Sequence, residues 1–173
     1  PEDDLVLFSA TNDYRGAPST FNYHVAAALL DHPELDFIAD WGGAFAKAEA
    51  EGTKLIADTA SSAPEDAAAP SLPLSAYAGT YHDPWYGDVR IRLTDDGGLF
   101  IDMGRSEILD GELTHYEADR FAAFWPDSSL KADAFVDFTV ENDKVTGMKM
   151  QAISDLTDFS YDFHDLDLKR VAD

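Results

Sequence analysis

Residues 74–91 read Leu74-Ser-Ala-Tyr-Ala-Gly-Thr-Tyr-His-Asp-Pro-Trp-Tyr-Gly-Asp-Val-Arg-Ile91. A short apolar run ends in Gly79-Thr80-Tyr81. The turn-prone Asp83-Pro84 and an aromatic-glycine corner, Trp85-Tyr86-Gly87, follow. Strict alternation then begins, with Val89, Ile91 and Leu93 on one face and Asp88, Arg90 and Arg92 on the other. A period of two bounded by turn residues predicts the opening hairpin of an antiparallel β domain.

The same reading continues to the end of the chain. Eight strand candidates fall around Tyr77–Tyr81, Asp88–Thr94, Leu99–Met103, Glu112–Tyr116, Arg120–Trp125, Ala134–Val140, Val145–Ala152 and Leu166–Val171. Turn signals separate them, among them Asp95-Asp96-Gly97-Gly98, Asp110-Gly111 and Asn142-Asp143-Lys144. Short strands at roughly ten-residue spacing are the pattern of an up-and-down barrel or a sandwich. Val89, Ile91, Leu93, Ile101, Val136, Phe138, Met148 and Met150 are the inward candidates.

Upstream the organisation differs. Leu5–Phe8 has the pattern of a short buried strand, ended by Thr11-Asn12-Asp13. Ser19 or Thr20 is positioned to cap a helix from Phe21 to about Leu30, which His32-Pro33 stops. Leu35, Ile38, Trp41 and Phe45 recur at helical spacing in a second helix, weakened by Gly42-Gly43 and extending through Glu51 or on to Ile56. From Thr59 to Pro73 the composition turns to Ala, Ser, Pro and acid, which reads as a linker. The expected division is therefore 1–58, 59–73 and 74–171. The expected fold is mainly β: an eight-stranded antiparallel barrel preceded by a strand and two helices.

The 173 residues carry a net charge of −22, from 12 basic and 34 acidic side chains. Such a field repels nucleic acid and anionic lipid, so neither is an expected partner. Asp outnumbers Glu 25 to 9. This composition fits a salt-adapted surface or acidic drift, and less readily a divalent-cation role. No apolar run approaches the about 20 residues of a membrane span. The absence of cysteine excludes disulfides, thiolate zinc sites and a cysteine nucleophile.

The pattern Leu74-x-x-Tyr77-x-Gly79-x-Tyr81, then Tyr86-Gly87, a strand with His115, and Phe121-x-x-x-Trp125 resembles a known family. The closing Leu156-x-Asp158-Phe159-Ser160-Tyr161-Asp162-Phe163-x-Asp165-Leu166 fits it as well. The resemblance is to the C-terminal domain of unknown function attached to class C β-lactamase-like, penicillin-binding-protein-like serine hydrolases. It spans about residues 71–171 and implies a lipocalin-like barrel. Leu5–Asn12 and the helices after it resemble the last strand and tail of the hydrolase domain. The resemblance implies a chain that begins inside a larger, periplasmic or secreted serine hydrolase, as a truncated or cleaved piece. The hydrolase domain of that parent is then the expected partner, with a homo-oligomer as a second possibility.

The parent family's chemistry needs a Ser-x-x-Lys nucleophile on a helix, a Tyr-x-Asn-type element and a Lys/His-x-Gly strand. Ser128-Ser129-Leu130-Lys131 is the one Ser-x-x-Lys here, and it reads as a chance match in a loop. The other two elements do not occur in this sequence. No residue of this chain is expected to be catalytic, and no cofactor or metal is expected. His82, His115 and His164 lie on separate β segments. The acidic run Asp155, Asp158, Asp162, Asp165 and Asp167 lacks the order of an EF-hand loop. Aromatic residues are the better lead. Most should be core, but Tyr81, Trp85, Tyr86, His115 and Trp125 are the candidates for contact with a hydrolase domain or its substrate. The alternative is a small ligand inside the barrel.

Overall fold

The computed structural model describes residues 5–11, 16–61 and 63–171. Two helices precede eight strands. The helices are α1 (Ala17–Leu29) and α2 (Phe37–Ser61). The strands are β1 (Gly79–Asp83), β2 (Gly87–Leu93), β3 (Leu99–Asp102), β4 (Gly111–Glu117), β5 (Arg120–Ala123), β6 (Ala134–Glu141), β7 (Lys144–Ala152) and β8 (Leu168–Arg170). Each strand pairs antiparallel with the next, and β1 pairs with β8, so the meander closes into a barrel. Closure leaves the sheet no free edge.

The turns explain the register. Asn142 and Asp143, at φ 50° and 59°, form a two-residue hairpin between Glu141 and Lys144. Positive φ at both centres matches the right-handed twist of the flanking strands, and Asn and Asp tolerate it best after Gly. Gly97, at φ 87°, serves the same end between β2 and β3, where the Thr94 N–H donates to the Gly98 carbonyl. At Gly147 a Cβ would lie 2.7 Å from the Leu168 carbonyl oxygen, so only glycine lets β7 and β8 approach as they do.

Alternation along these strands puts Val89, Ile91, Leu99, Ile101, Val136, Phe138, Met148, Met150 and Leu168 in one buried cluster. Tyr77, Phe121 and Phe138 meet edge-on within the core, at centroid separations of 5.0–5.6 Å. Each such contact adds about 0.5–1.5 kcal/mol beyond its buried area. Leu93 departs from the inward expectation. It is the last residue of β2, beside the Thr94–Gly98 turn, and the barrel does not cover it there.

The chain divides into two compact units, Pro1–Glu51 and Gly52–Asp173. In the first unit, residues 5–11 form no strand, contrary to the expectation for Leu5–Phe8. Val6 and Phe8 are 90% and 88% exposed, and four apolar residues without a strand partner leave their backbone groups unpaired by any sheet among the described residues. Asn12 and Asp13 lie outside the described residues. Ser19 and Thr20 do not cap α1, because the helix begins earlier, with Gly16 at its N-cap and Pro18 in its first turn. Thr20 Oγ1 instead donates back to the Gly16 carbonyl, at 3.0 Å. Asp36 caps α2, accepting from the Ala39 N–H at 3.0 Å. Tyr23, Phe37 and Trp41 cluster at 5.3–5.7 Å between the two helices.

In the second unit, Thr59–Ser61 are still helix, so the linker-like stretch is shorter than its composition implies. Nor does it hang free. Asp119 accepts from the Ser71 N–H at 3.0 Å and from its hydroxyl at 2.8 Å, and the Ala118 N–H donates to the Ala68 carbonyl at 2.7 Å. The Tyr77 hydroxyl also donates to Asp119. One carboxylate thereby fastens the approach to the barrel. Burial pushes its pKa up, but the donors from Tyr77 and Ser71 outweigh that and hold it below the usual carboxylate value.

Candidate functional site: an aromatic cavity at one end of the barrel

Up-and-down order gathers the β1–β2, β3–β4, β5–β6 and β7–β8 connections at one end of the barrel. Three of these connections line a half-open cavity of about 150 Å³. Trp85 and Tyr86 come from the β1–β2 turn. Met103, Ser106 and Leu109 come from the β3–β4 loop. Ser160, Tyr161, Asp162, Phe163 and Leu166 come from the β7–β8 loop.

Asp83 builds the first wall. It is 4% exposed, a placement that costs a carboxylate dearly unless donors surround it. Its Oδ1 accepts from the backbone N–H groups of Trp85 and Tyr86, both at 2.8 Å, and its Oδ2 accepts from the Asp167 N–H at 3.0 Å. One side chain thus ties the β1–β2 turn to the end of the β7–β8 loop. The Tyr86 and Asp167 N–H groups lead in holding its pKa below the ordinary range, against the opposing effect of burial. With the turn so held, Trp85 stands 74% exposed. On the opposite wall Tyr161 and Phe163 stack at 6.0 Å, and Phe163 leans on the buried Trp125 at 6.4 Å.

The five candidate residues separate accordingly. Trp85 and Tyr86 come together in the cavity wall. Tyr81 is core: it is fully buried, its hydroxyl donates to the Tyr77 carbonyl at 2.6 Å, and burial raises its pKa far above the ordinary value. Trp125 is core too, its indole N–H donating to the Ala132 carbonyl at 2.6 Å while Asp133 accepts its backbone N–H. Burial of Asp133 raises that carboxyl's pKa, with the Trp125 N–H opposing. His115 lies toward the other end, near the β4–β5 turn, donating to the Ala118 carbonyl at 3.0 Å and packed edge-on against Phe121. Met103, Leu109 and Leu166 were not among the site candidates from the sequence, and Asp162 stood there only as one of an acidic run. All four sit in the loops that follow β3 and precede β8.

His82, His115 and His164 do not converge. His82 meets Asp88 at 2.7 Å and His164 meets Asp165 at 3.5 Å, both on the surface. Asp162, His164 and Asp165 bring ligand atoms within 4.8 Å of one another. Ser128–Leu130 forms a single 3-10 turn, with Asp127 accepting from the Ser129 N–H. The Ser-x-x-Lys order there lacks the helix on which its chemistry depends. Among the described residues no helix is long and apolar enough to cross a membrane.

Residues 63–170 match the family described as Domain of unknown function (DUF3471). The chain belongs to this family. The matched span covers all eight strands of the barrel, including the pinned approach to β1. The chain is also similar to the crystal structure of the C-terminal domain of penicillin binding protein Rv0907. There the identity is 19%, the match covers 63% of this chain and 93% of that one, and the TM-score is 0.47. No curated protein matches the sequence.

Proposed function

We propose that this DUF3471 barrel is a non-catalytic, lipocalin-like accessory domain of a class C β-lactamase-like serine hydrolase. Residues 1–58 would be the end of that hydrolase domain. The parent would be an esterase, peptidase or β-lactamase in the periplasm or outside the cell. The spaced aromatic and glycine residues that resemble the family support this reading. The observation that carries it is Trp85, a large indole kept in solvent on a turn that Asp83 fixes by backbone hydrogen bonds. Rigid, exposed aromatics of this kind anchor protein contacts, since they bury much area at little entropic cost. The barrel end bearing Trp85 would contact the hydrolase domain and shape access to its substrate cleft. A ligand inside the barrel fits less well, because the inward residues from Val89 to Met150 are packed in one cluster.

Two measurements test the proposal. The chain should show no turnover of nitrocefin, p-nitrophenyl esters or D-amino-acid amides. Activity that disappears in Ser128→Ala would overturn it. The coding sequence ahead of Pro1 should contain a Ser-x-x-Lys, a Tyr-x-Asn-type element and a Lys/His-x-Gly strand. A continuous reading frame without them would overturn it equally.

A further inference from the structure

We propose that the cavity at the barrel end binds a small organic ammonium ion, its charge set against aromatic faces and the Asp162 carboxylate. Size comes first. A cavity of about 150 Å³ has room for one compact group of benzene size. Its walls select the group's chemistry. Trp85, Tyr86 and Tyr161 contribute aromatic rings to the lining, with the buried Phe163 stacked behind Tyr161; an aromatic face carries the negative part of the ring quadrupole and attracts a cation. Methylated or alkylated ammonium suits such walls better than a metal ion, because its charge is spread over an apolar surface and little hydration is lost.

Local charge agrees. Asp162 lines the cavity, and among the described residues no basic side chain pairs with it. The β3–β4 loop contributes two further carboxylates, Glu107 and Asp110, and residues 153–167 contain five, Asp162 included. Against these stand Arg105 and His164. Arg105 packs over Gly87, its guanidinium 3.1 Å from where a Cβ would be, and is not among the wall residues. His164 is turned to Asp165. An anion would meet this field unfavourably, and a neutral apolar ligand would leave it unused. The backbone of the turn that carries Trp85 and Tyr86 is also pre-organised, since Asp83 fixes it before any ligand arrives. The inference stands on the cavity alone and holds whether or not a hydrolase domain is the partner.

The test compares choline with 3,3-dimethylbutan-1-ol, which has the same shape without the charge. The indole N–H resonance of Trp85 in the complete chain, assigned by its loss in Trp85→Phe, follows the titration. Choline should give saturable shifts, with an affinity at least about tenfold above that of the alcohol, the value of a desolvated cation–aromatic contact. Asp162→Asn, followed by the same indole resonance, and Trp85→Ala, followed by the backbone amide resonances of Tyr161 and Phe163, should each weaken choline severalfold while the remaining spectrum stays native, since neither side chain is part of the core. Equal affinity for the alcohol, unchanged choline binding in both variants, or no shift up to about 100 mM choline, an affinity too weak to be specific, would each overturn the proposal.

Discussion

Asp83 concentrates more structural consequence than any other single side chain at the cavity. Three backbone N–H groups from two distant segments end on it. Asp83→Ala should lower the unfolding free energy by about 2–3 kcal/mol in a urea titration, the range for hydrogen bonds to a charged group. Asp83→Asn should keep the two bonds to Oδ1 but set an amide N–H against that of Asp167. The folded-state pKa of Asp83 is lowered, so its stabilisation is complete above the unfolded value near about 4. It is lost as pH falls through the lower folded value. Asp119, also lowered, adds to the same acid limb. Stability should therefore be flat in this respect around neutrality and fall in acid, and Asp83→Ala should show a shallower fall than the parent chain. An equal acid dependence in both would show that Asp83 is not one of the groups responsible.

Among the elements, α2 offers the cleanest measurement. Gly42 and Gly43 sit inside a continuous helix, and a Cβ at either would meet nothing within 4 Å. Replacing each with Ala should stabilise the helix by about 1 kcal/mol, the ordinary difference in propensity, visible as a higher melting temperature of the helical signal. The strands were the most legible elements in the sequence, because Val89-x-Ile91 and Val136-x-Phe138-x-Val140 state their inward faces directly. Boundaries moved by two residues at three strands: β1 and β8 begin later because the 3-10 turns Leu74–Ala76 and Phe163–Asp165 precede them, and β5 ends at Ala123 rather than Trp125. Leu5–Phe8 was misread because four apolar residues define a face but not a neighbour to pair with. What fastens the stretch before β1 was not legible, because its anchor, Asp119, lies 48 residues from Ser71. Half of the cavity was legible for the same reason. Trp85-Tyr86 announces a turn, whereas Asp162 and Leu109 join it only through loops whose course no local pattern fixes.

At the scale of the whole molecule, the two units differ in how they dispose of apolar surface. The barrel encloses most of its large side chains, with Trp85, Ile108 and Phe159 the main exceptions. The first unit leaves Val6, Phe8, Phe21, Leu29, Ile38 and Phe45 substantially in water, and α2 buries none of its described residues. Scattered exposed apolar residues are ordinary, but this many within residues 6–45 favour association. We predict that the chain self-associates through residues 5–45 at micromolar concentrations, and that light scattering on a chain lacking residues 1–51 reports a folded monomer. The net charge of −22 opposes contact between copies. Screening that repulsion requires salt, with a Debye length of about 10 Å at 0.1 M and about 3 Å at 1 M. Association should therefore strengthen as sodium chloride rises, the reverse of what an ion-paired interface would show. A complete chain that stays monomeric across that salt range would place the helices' apolar side chains elsewhere than at a copy-to-copy interface, and would remove self-association from the account of this protein.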